Sequence, residues 1–246
     1  MAPTVEGAGV ELAYEERGEG PAVLLVHGMA ASGADWAPVV ARLAGSTRVI
    51  AYDRRGYGGS GAPDPYMRTT IHEQAQDAAT LLDSLGAAPA VACGADLGAL
   101  VVLDLLRRHP GLLKGAVLVD PPAFMLVAEA TEALAAERLA LEEALREGGP
   151  RRGVELYLTW QRAGGERMSR AREHPETFFA DYGGLATLPL SRRELRELDA
   201  PVVVLDSPAA RGHQRAAGDA LVALLPAGRR DGAASVTGAI EELIAR

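Results

Sequence analysis

The stretch CGADLGAL, residues 93–100, contains the most informative bend in the chain, because it joins an apolar run to the start of a helical one. Asp96 lies at its centre, with Gly94 two residues before it and Gly98 two residues after it. This spacing is typical of a nucleophile elbow, a strained turn that holds the central side chain out at the edge of a sheet. The alternative is an ordinary strand–helix turn in which Asp96 only caps the helix.

Short apolar runs on both sides of the bend predict strands that are buried on both faces. These runs are PAVLLV (21–26), TRVIAY (47–52), APAVAC (88–93), GAVLVD (115–120) and PVVVLD (201–206). Helical segments, residues 71–85 and 97–109, lie between them. The alternation of strands and helices predicts an α/β fold with a mostly parallel, doubly wound sheet.

This alternation stops after Asp120, and residues 123–198 show only helical patterns. One of the helices in this segment begins with a capping box, Ser191 to Glu194. The run PVVVLD then resumes the sheet. We therefore predict a core formed by residues 1–122 and 199–246, with residues 123–198 as an all-helical cap.

Composition and charge argue against several classes of protein. The net charge of −8 does not suit a surface that binds nucleic acid, and the single cysteine, Cys93, fits a reducing compartment. No run is long enough to span a membrane, and the first residues lack the features of a signal peptide. We expect a cytoplasmic protein with a small-molecule substrate and no nucleic-acid or membrane partner, and a homodimer remains open.

The run GYGGSG (56–61) matches the glycine pattern of dinucleotide-binding loops. Such a loop must open a helix, but here Ala-Pro-Asp-Pro follows, which does not start a helix cleanly. No spacing typical of metal ligands occurs either. The sequence therefore predicts neither a cofactor nor a metal.

Four motifs together resemble the α/β-hydrolase superfamily over nearly the whole chain. They are VLLVHGMAASGADW (23–36), YDRRGYGGSGAP (52–63), CGADLG (93–98) and LVDPP (118–122). An aspartate at the elbow resembles the branch that contains epoxide hydrolases and haloalkane or haloacid dehalogenases. The resemblance implies an α/β-hydrolase fold in which Asp96 attacks an sp³ carbon and forms an ester on the enzyme. It also implies an oxyanion hole formed by the N–H groups of Met29 and Leu97.

The resemblance also implies that a water activated by a histidine, which an acid holds in place, hydrolyses this ester. Asp120 is the candidate acid, although it also fits a residue that only caps a turn. The family keeps its histidine after the last strand, but LLPAGRRDGAASVTGAIEELIAR (224–246) contains none and leaves room only for a shortened or lost strand. Among the five histidines, His213 gives the chain order Asp96, Asp120, His213; an exposed histidine at a helix start is the alternative.

Two features of the resemblance favour epoxides over halides. Dehalogenases that bind halide usually have tryptophan directly after the nucleophile, where this chain has Leu97. Epoxide hydrolases use tyrosines of the cap to protonate the opening oxygen, and Tyr157 and Tyr182 are candidates, with packing residues as the alternative. We therefore expect an epoxide-hydrolase-like attack on a small or medium apolar substrate.

Two other functions stay open because the usual histidine is missing. In the first, the protein is an enzyme that uses Asp96 as a general base for cyclisation, elimination or decarboxylation. Alternatively, it is a catalytically inactive member that binds a ligand. The fold alone does not decide among these functions.

Overall fold

The computed structural model describes residues 2–232 and 235–246, and an eight-stranded sheet forms its centre. The strand order is β1-β2-β4-β3-β5-β6-β7-β8. The strands are β1 (Thr4–Glu6), β2 (Glu11–Arg17), β3 (Ala22–Val26), β4 (Arg48–Tyr52), β5 (Ala90–Ala95), β6 (Leu113–Val119), β7 (Val202–Leu205) and β8 (Gly228–Arg230). Strands β3 to β8 run parallel, whereas β1 and β2 join one edge through antiparallel pairs. This confirms the predicted α/β fold with a mostly parallel sheet.

Helices cover both faces of this sheet. They are α1 (Ala37–Leu43), α2 (Ile71–Ser84), α3 (Leu97–Arg108), α4 (Ala130–Trp160), α5 (Gly165–Ala171), α6 (Pro175–Gly184), α7 (Arg192–Arg196), α8 (Gly212–Val222) and α9 (Val236–Ala245). One apolar layer packs the sheet against α2, α3 and α8, and the other packs it against α1 and α9. No helix in the described ranges is long and apolar enough to cross a bilayer.

The strands at the two edges of the sheet, β1, β2 and β8, are not among those that the apolar runs predict. Strand β8 has only three residues and pairs in parallel with β7, so the last strand is shortened, as predicted. Residues 233 and 234 of the histidine-free C-terminal stretch lie outside the described residues. Strands β1 and β2 do not follow from the apolar runs, because most of their side chains at this edge are exposed or only partly buried.

Helices α4 to α7 lie between β6 and β7, and the described residues of this segment, 123–198, contain no strand. The helix α4 is kinked at Gly148 and Gly149, where the backbone leaves helical geometry. At the start of α7, the Ser191 hydroxyl accepts the N–H of Glu194, as the capping box predicts. The division into core and cap stays a prediction, and we use the word cap for residues 123–198.

A buried ion pair connects the cap to the core. The Arg54 guanidinium donates to both carboxylate oxygens of Asp181 in α6, at 2.7 and 3.2 Å. The Tyr57 hydroxyl (2.7 Å) and the Gln74 amide (2.9 Å) donate to the same carboxylate. Arg54 also donates to the Gly28 carbonyl (2.9 Å), so the network ties α6 to the loop after β3.

Candidate active site

Asp96 lies in a strained bend between β5 and α3, with φ 52° and ψ −126°. A side chain on Gly94 would place its Cβ 2.2 Å from the Gly98 carbonyl oxygen, and one on Gly98 would place it 2.4 Å from the Val26 carbonyl oxygen. Both flanking positions therefore require glycine. Because a left-handed φ is costly for a residue other than glycine, the strain marks Asp96 as a candidate functional residue.

The Asp96 carboxylate has one bonded and one free oxygen. Its Oδ2 accepts the Tyr157 hydroxyl at 2.6 Å and the Met29 N–H at 3.2 Å. The Gln161 amide donates to the Tyr157 oxygen at 3.2 Å, which leaves the hydroxyl proton directed at Asp96. The Oδ1 atom has no hydrogen-bond partner within the described residues, so it is the oxygen available for attack.

Burial sets the protonation of this pair. It raises the pKa of Asp96, while the Tyr157 hydrogen bond and the charge of Arg167 oppose that rise. It also raises the pKa of Tyr157 well above its ordinary value, with the nearby Asp96 charge as the second cause. Tyr157 therefore keeps its proton at neutral pH and remains a proton donor.

Arg167 of α5 holds the loop that contains Met29. Its guanidinium donates to the Met29 carbonyl at 2.8 Å and to the Ala30 carbonyl at 3.1 Å. These two bonds fix the carbonyls of the loop whose N–H group contacts Asp96. Arg167 is thus a positioning residue from the cap that no sequence pattern reveals.

Asp120 lies beside Asp96 at the same edge of the sheet. Ala95 and Val119 form the last register pair of β5 and β6, so the two aspartates follow directly on neighbouring parallel strands, which lie about 4.8 Å apart. Asp120 has φ 48°, and its Oδ1 accepts the Ser207 N–H at 3.0 Å. The structure therefore brings two of the predicted site residues together.

Two cavities meet at Asp96. The first, which we call the Asp120 cavity, has a volume of about 400 Å³ and is lined by residues that include Trp36, Asp96, Asp120, Gln161, Arg167 and Ser207. The second, which we call the cap cavity, has a volume of about 380 Å³ and is lined by residues that include Met29, Asp96, Phe124, Tyr157, Gln161 and Tyr182. Asp96 and Gln161 line both, so Asp96 faces an apolar pocket on one side and a more polar one on the other.

Tyr182 and Leu97 also lie close to Asp96. Tyr182 of α6 lines the cap cavity with Tyr157, and Phe178 packs against both rings at centroid distances of 6.0 and 4.9 Å. Leu97 is the first residue of α3, so its N–H has no acceptor within the helix. The structure thus places both predicted tyrosines and both predicted oxyanion residues around Asp96.

His213 is the predicted residue that the structure does not bring to this site. Its ring packs on Phe124 at 5.2 Å, and its Nε2 lies 3.3 Å from a Glu137 oxygen of α4. It lines neither the Asp120 cavity nor the cap cavity. The chain order suggested a base next to Asp120, but the first turn of α8 directs His213 toward the cap helix α4.

His27 lines the Asp120 cavity, but both of its ring nitrogens are occupied. Its Nε2 accepts the Arg54 N–H at 2.9 Å, which requires the proton on Nδ1, and Nδ1 lies 2.8 Å from the Gly28 carbonyl. Burial lowers the pKa of His27 well below its ordinary value, so the ring is neutral. His27 therefore has no free nitrogen with which to activate water.

Backbone strain is concentrated around this site. In residues 2–232 and 235–246, the non-glycine residues with a left-handed φ are Ala30, Asp96, Asp120 and Arg162. Three of them line the Asp120 cavity, and Ala30 belongs to the loop held by Arg167. Such strain persists where the surroundings fix it, typically at functional sites. The same ranges contain no cluster of three His, Cys, Asp or Glu side chains arranged to hold a metal ion.

Relatives with known names match part of the chain. Epoxide hydrolase A of Mycobacterium tuberculosis is 37% identical over 128 residues, which are 50% of this chain and 40% of that protein. Bifunctional epoxide hydrolase 2 of Sus scrofa is 34% identical over 115 residues, which are 46% of this chain and 21% of that protein. The chain therefore spans less than half the length of these curated relatives.

Solved structures and a family model cover more of the chain. A thermophilic esterase from Thermogutta terrifontis superposes with a TM-score of 0.72 at 26% identity, covering 93% of this chain and 89% of that one. The model of the α/β-hydrolase fold family matches residues 21–182, well over half of the chain. Together with the elbow, the parallel sheet and the intervening helices, this match shows that the chain belongs to the α/β-hydrolase family.

Proposed function

We propose that this protein opens the epoxide ring of small or medium apolar compounds by direct attack of the Asp96 carboxylate. The observation that carries the proposal is the 2.6 Å hydrogen bond from the Tyr157 hydroxyl to Asp96. It joins a nucleophile and a proton donor at one point of the cap cavity. Two relatives named as epoxide hydrolases support the same chemistry.

The reaction follows from the two residues. A carboxylate is already an anion and needs no base, so Oδ1 of Asp96 attacks a ring carbon directly. The carbon–oxygen bond of the ring breaks, and its oxygen takes the proton of Tyr157. The product of this step is a 2-hydroxyalkyl ester of Asp96. The cap cavity, with Phe124, Leu134 and Leu185 in its walls, holds the apolar part of the substrate.

A second candidate uses Asp96 as a general base. Burial raises the pKa of Asp96, which makes the carboxylate a better proton acceptor than an exposed one. In that case, the protein removes a proton from carbon and forms no ester. The two candidates therefore differ in whether a covalent intermediate exists.

Kinetics with a panel of terminal alkyl and aryl epoxides test the proposal. We expect Asp96→Asn to abolish epoxide consumption and Tyr157→Phe to slow it by about 100-fold or more, since a positioned acid contributes about 10² to 10⁴ in rate. Tyr14→Phe, in β2 and outside both cavities, is the matched control that keeps the wild-type rate. Deuterium exchange into carbon acids, abolished by Asp96→Asn and without epoxide consumption, would instead support the general base.

A further inference from the structure

The Asp120 carboxylate lines the same cavity as Asp96. Only 6% of Asp120 is exposed, and its Oδ1 accepts the Ser207 N–H. The Oδ2 atom has no hydrogen-bond partner in the part of the chain that the structure describes. Asp120 lines the Asp120 cavity, so a water molecule or the polar group of a ligand in that cavity can supply the missing donor.

Apart from Asp96, the other carboxylate and imidazole groups that line the Asp120 cavity are already hydrogen-bonded. The Asp35 carboxylate accepts the Arg170 guanidinium at 2.5 Å and the Ser32 N–H at 2.9 Å. The nitrogens of His27 are both bonded, and His213 packs against the cap. Within the described ranges, the free oxygen of Asp120 is therefore the group best placed to accept a proton beside Asp96.

We propose that Asp120 is a further catalytic residue, whose Oδ2 takes a proton directly from the water that hydrolyses the Asp96 ester. No histidine lies between the acid and the water in this arrangement. The inference rests on the proposed function, because it requires the ester to form. It assigns Asp120 as the base itself, rather than as the acid that orients a histidine.

The step is balanced in atoms and charge. The water oxygen attacks Cγ of Asp96 while Asp120 takes one proton, and the resulting oxyanion lies near the Met29 N–H. The bond from Cγ to the product oxygen then breaks, and that oxygen takes the proton back from Asp120. Asp96 is left as a carboxylic acid, which returns its proton to the Tyr157 phenolate across their 2.6 Å contact. The net reaction adds one water to the epoxide and gives a diol.

A carboxylate is in general a weaker base than an imidazole. Ester hydrolysis is therefore expected to be slower than ring opening. In that case, the ester accumulates during turnover, which makes its formation and its decay separately measurable. The rate of ester formation therefore tests the role of Asp96, and the rate of ester decay tests the role of Asp120.

The test compares wild type with Asp120→Asn after a short exposure to an alkyl epoxide and removal of the excess. Asparagine keeps an acceptor for the Ser207 N–H but takes no proton from water at neutral pH. We expect ester formation within about threefold of wild type and ester decay slower by about 100-fold, as measured by intact mass. His72→Gln, on the exposed surface of α2, is the control that changes neither rate.

Two further measurements keep the test decisive. A single turnover in ¹⁸O-labelled water is expected to place one ¹⁸O in the Asp96 peptide, because water attacks Cγ rather than the product carbon. In Asp120→Ala, added formate is expected to restore decay by supplying a carboxylate in the space that was emptied. Ester formation by each variant shows that the variant is folded.

Each contrary result has a separate meaning. An ester that decays as fast in Asp120→Asn as in wild type would overturn the inference and leave the proposed function intact. An ester that persists in His213→Gln but decays normally in Asp120→Asn would assign the base to His213 instead. If wild type forms no ester with any epoxide, both the proposed function and the inference are wrong.

Discussion

Two opposing effects act on the charged form of Asp96. Burial disfavours its charge, whereas the Tyr157 hydroxyl, the Met29 N–H and the Arg167 guanidinium favour it. A carboxylate that has lost most of its water and keeps few donors is more reactive than one in solution. The same environment keeps Tyr157 protonated at neutral pH, so one site places a carboxyl group beside a proton donor.

This arrangement predicts the pH dependence of ester formation. Only ionised Asp96 attacks, and burial raises its pKa, so the rate should rise with pH through a midpoint above that of an exposed aspartate. It should not fall again up to about pH 9, because the pKa of Tyr157 lies well above its ordinary value of about 10. Rapid quenching and intact mass between pH 4 and 9 measure this profile. A rate that declines above pH 7 would contradict the assigned roles.

At the scale of elements, the cap is attached through buried charges. The Asp181 carboxylate of α6 accepts four hydrogen bonds from Arg54, Tyr57 and Gln74 of the core. Arg54 in turn donates to the carbonyls of His27 and Gly28, at the start of the loop that contacts Asp96. The position of the cap and the geometry of the loop after β3 are therefore coupled through one network.

Breaking this network from one side should be costly. Asp181→Ala leaves the Arg54 guanidinium buried without its partner, and we expect the free energy of unfolding to fall by about 3–5 kcal/mol. Urea denaturation measures the change. Glu142→Ala, which removes an exposed pair with Arg138, is the matched control and should cost less than about 1 kcal/mol.

The double variant Arg54→Leu/Asp181→Leu separates a lost partner from a lost interaction. If the unpaired charge is the main cost, the double variant should be more stable than Asp181→Ala, because no buried charge is then left alone. If Asp181→Ala unfolds at the same urea concentration as wild type, the stability of the protein does not depend on the Arg54–Asp181 ion pair.

At the scale of the whole molecule, the apolar core and the position of Asp96 could be predicted from local patterns. Parallel strands covered on both faces must be apolar throughout, so their runs are visible in the sequence. The elbow is visible because Gly94 and Gly98 leave room for close backbone contacts. Asp120 follows β6 beside Asp96 because neighbouring parallel strands end at the same edge of the sheet.

Arg167, which the sequence did not reveal, acts across a long separation in the chain, because its side chain reaches the Met29 carbonyl 138 residues away. Gln161 lies only four residues from Tyr157, but this spacing is common to all helices and does not by itself mark a functional pair. Chain order and the short loop after the strand that neighbours β6 predict His213 beside Asp120. Chain order does not specify which way the first turn of α8 faces, and in the structure it faces Glu137.

The central claim is that Asp96 forms a covalent ester, and one measurement tests it most directly. Wild type and Asp96→Asn are mixed in excess over an alkyl epoxide, quenched in acid, and compared by intact mass and peptide mapping. The account predicts that wild type gains the full mass of one epoxide on the peptide that contains Asp96, and that Asp96→Asn gains none. Epoxide consumed by wild type with no mass on that peptide at any time, or with the same mass on Asp96→Asn, would contradict it.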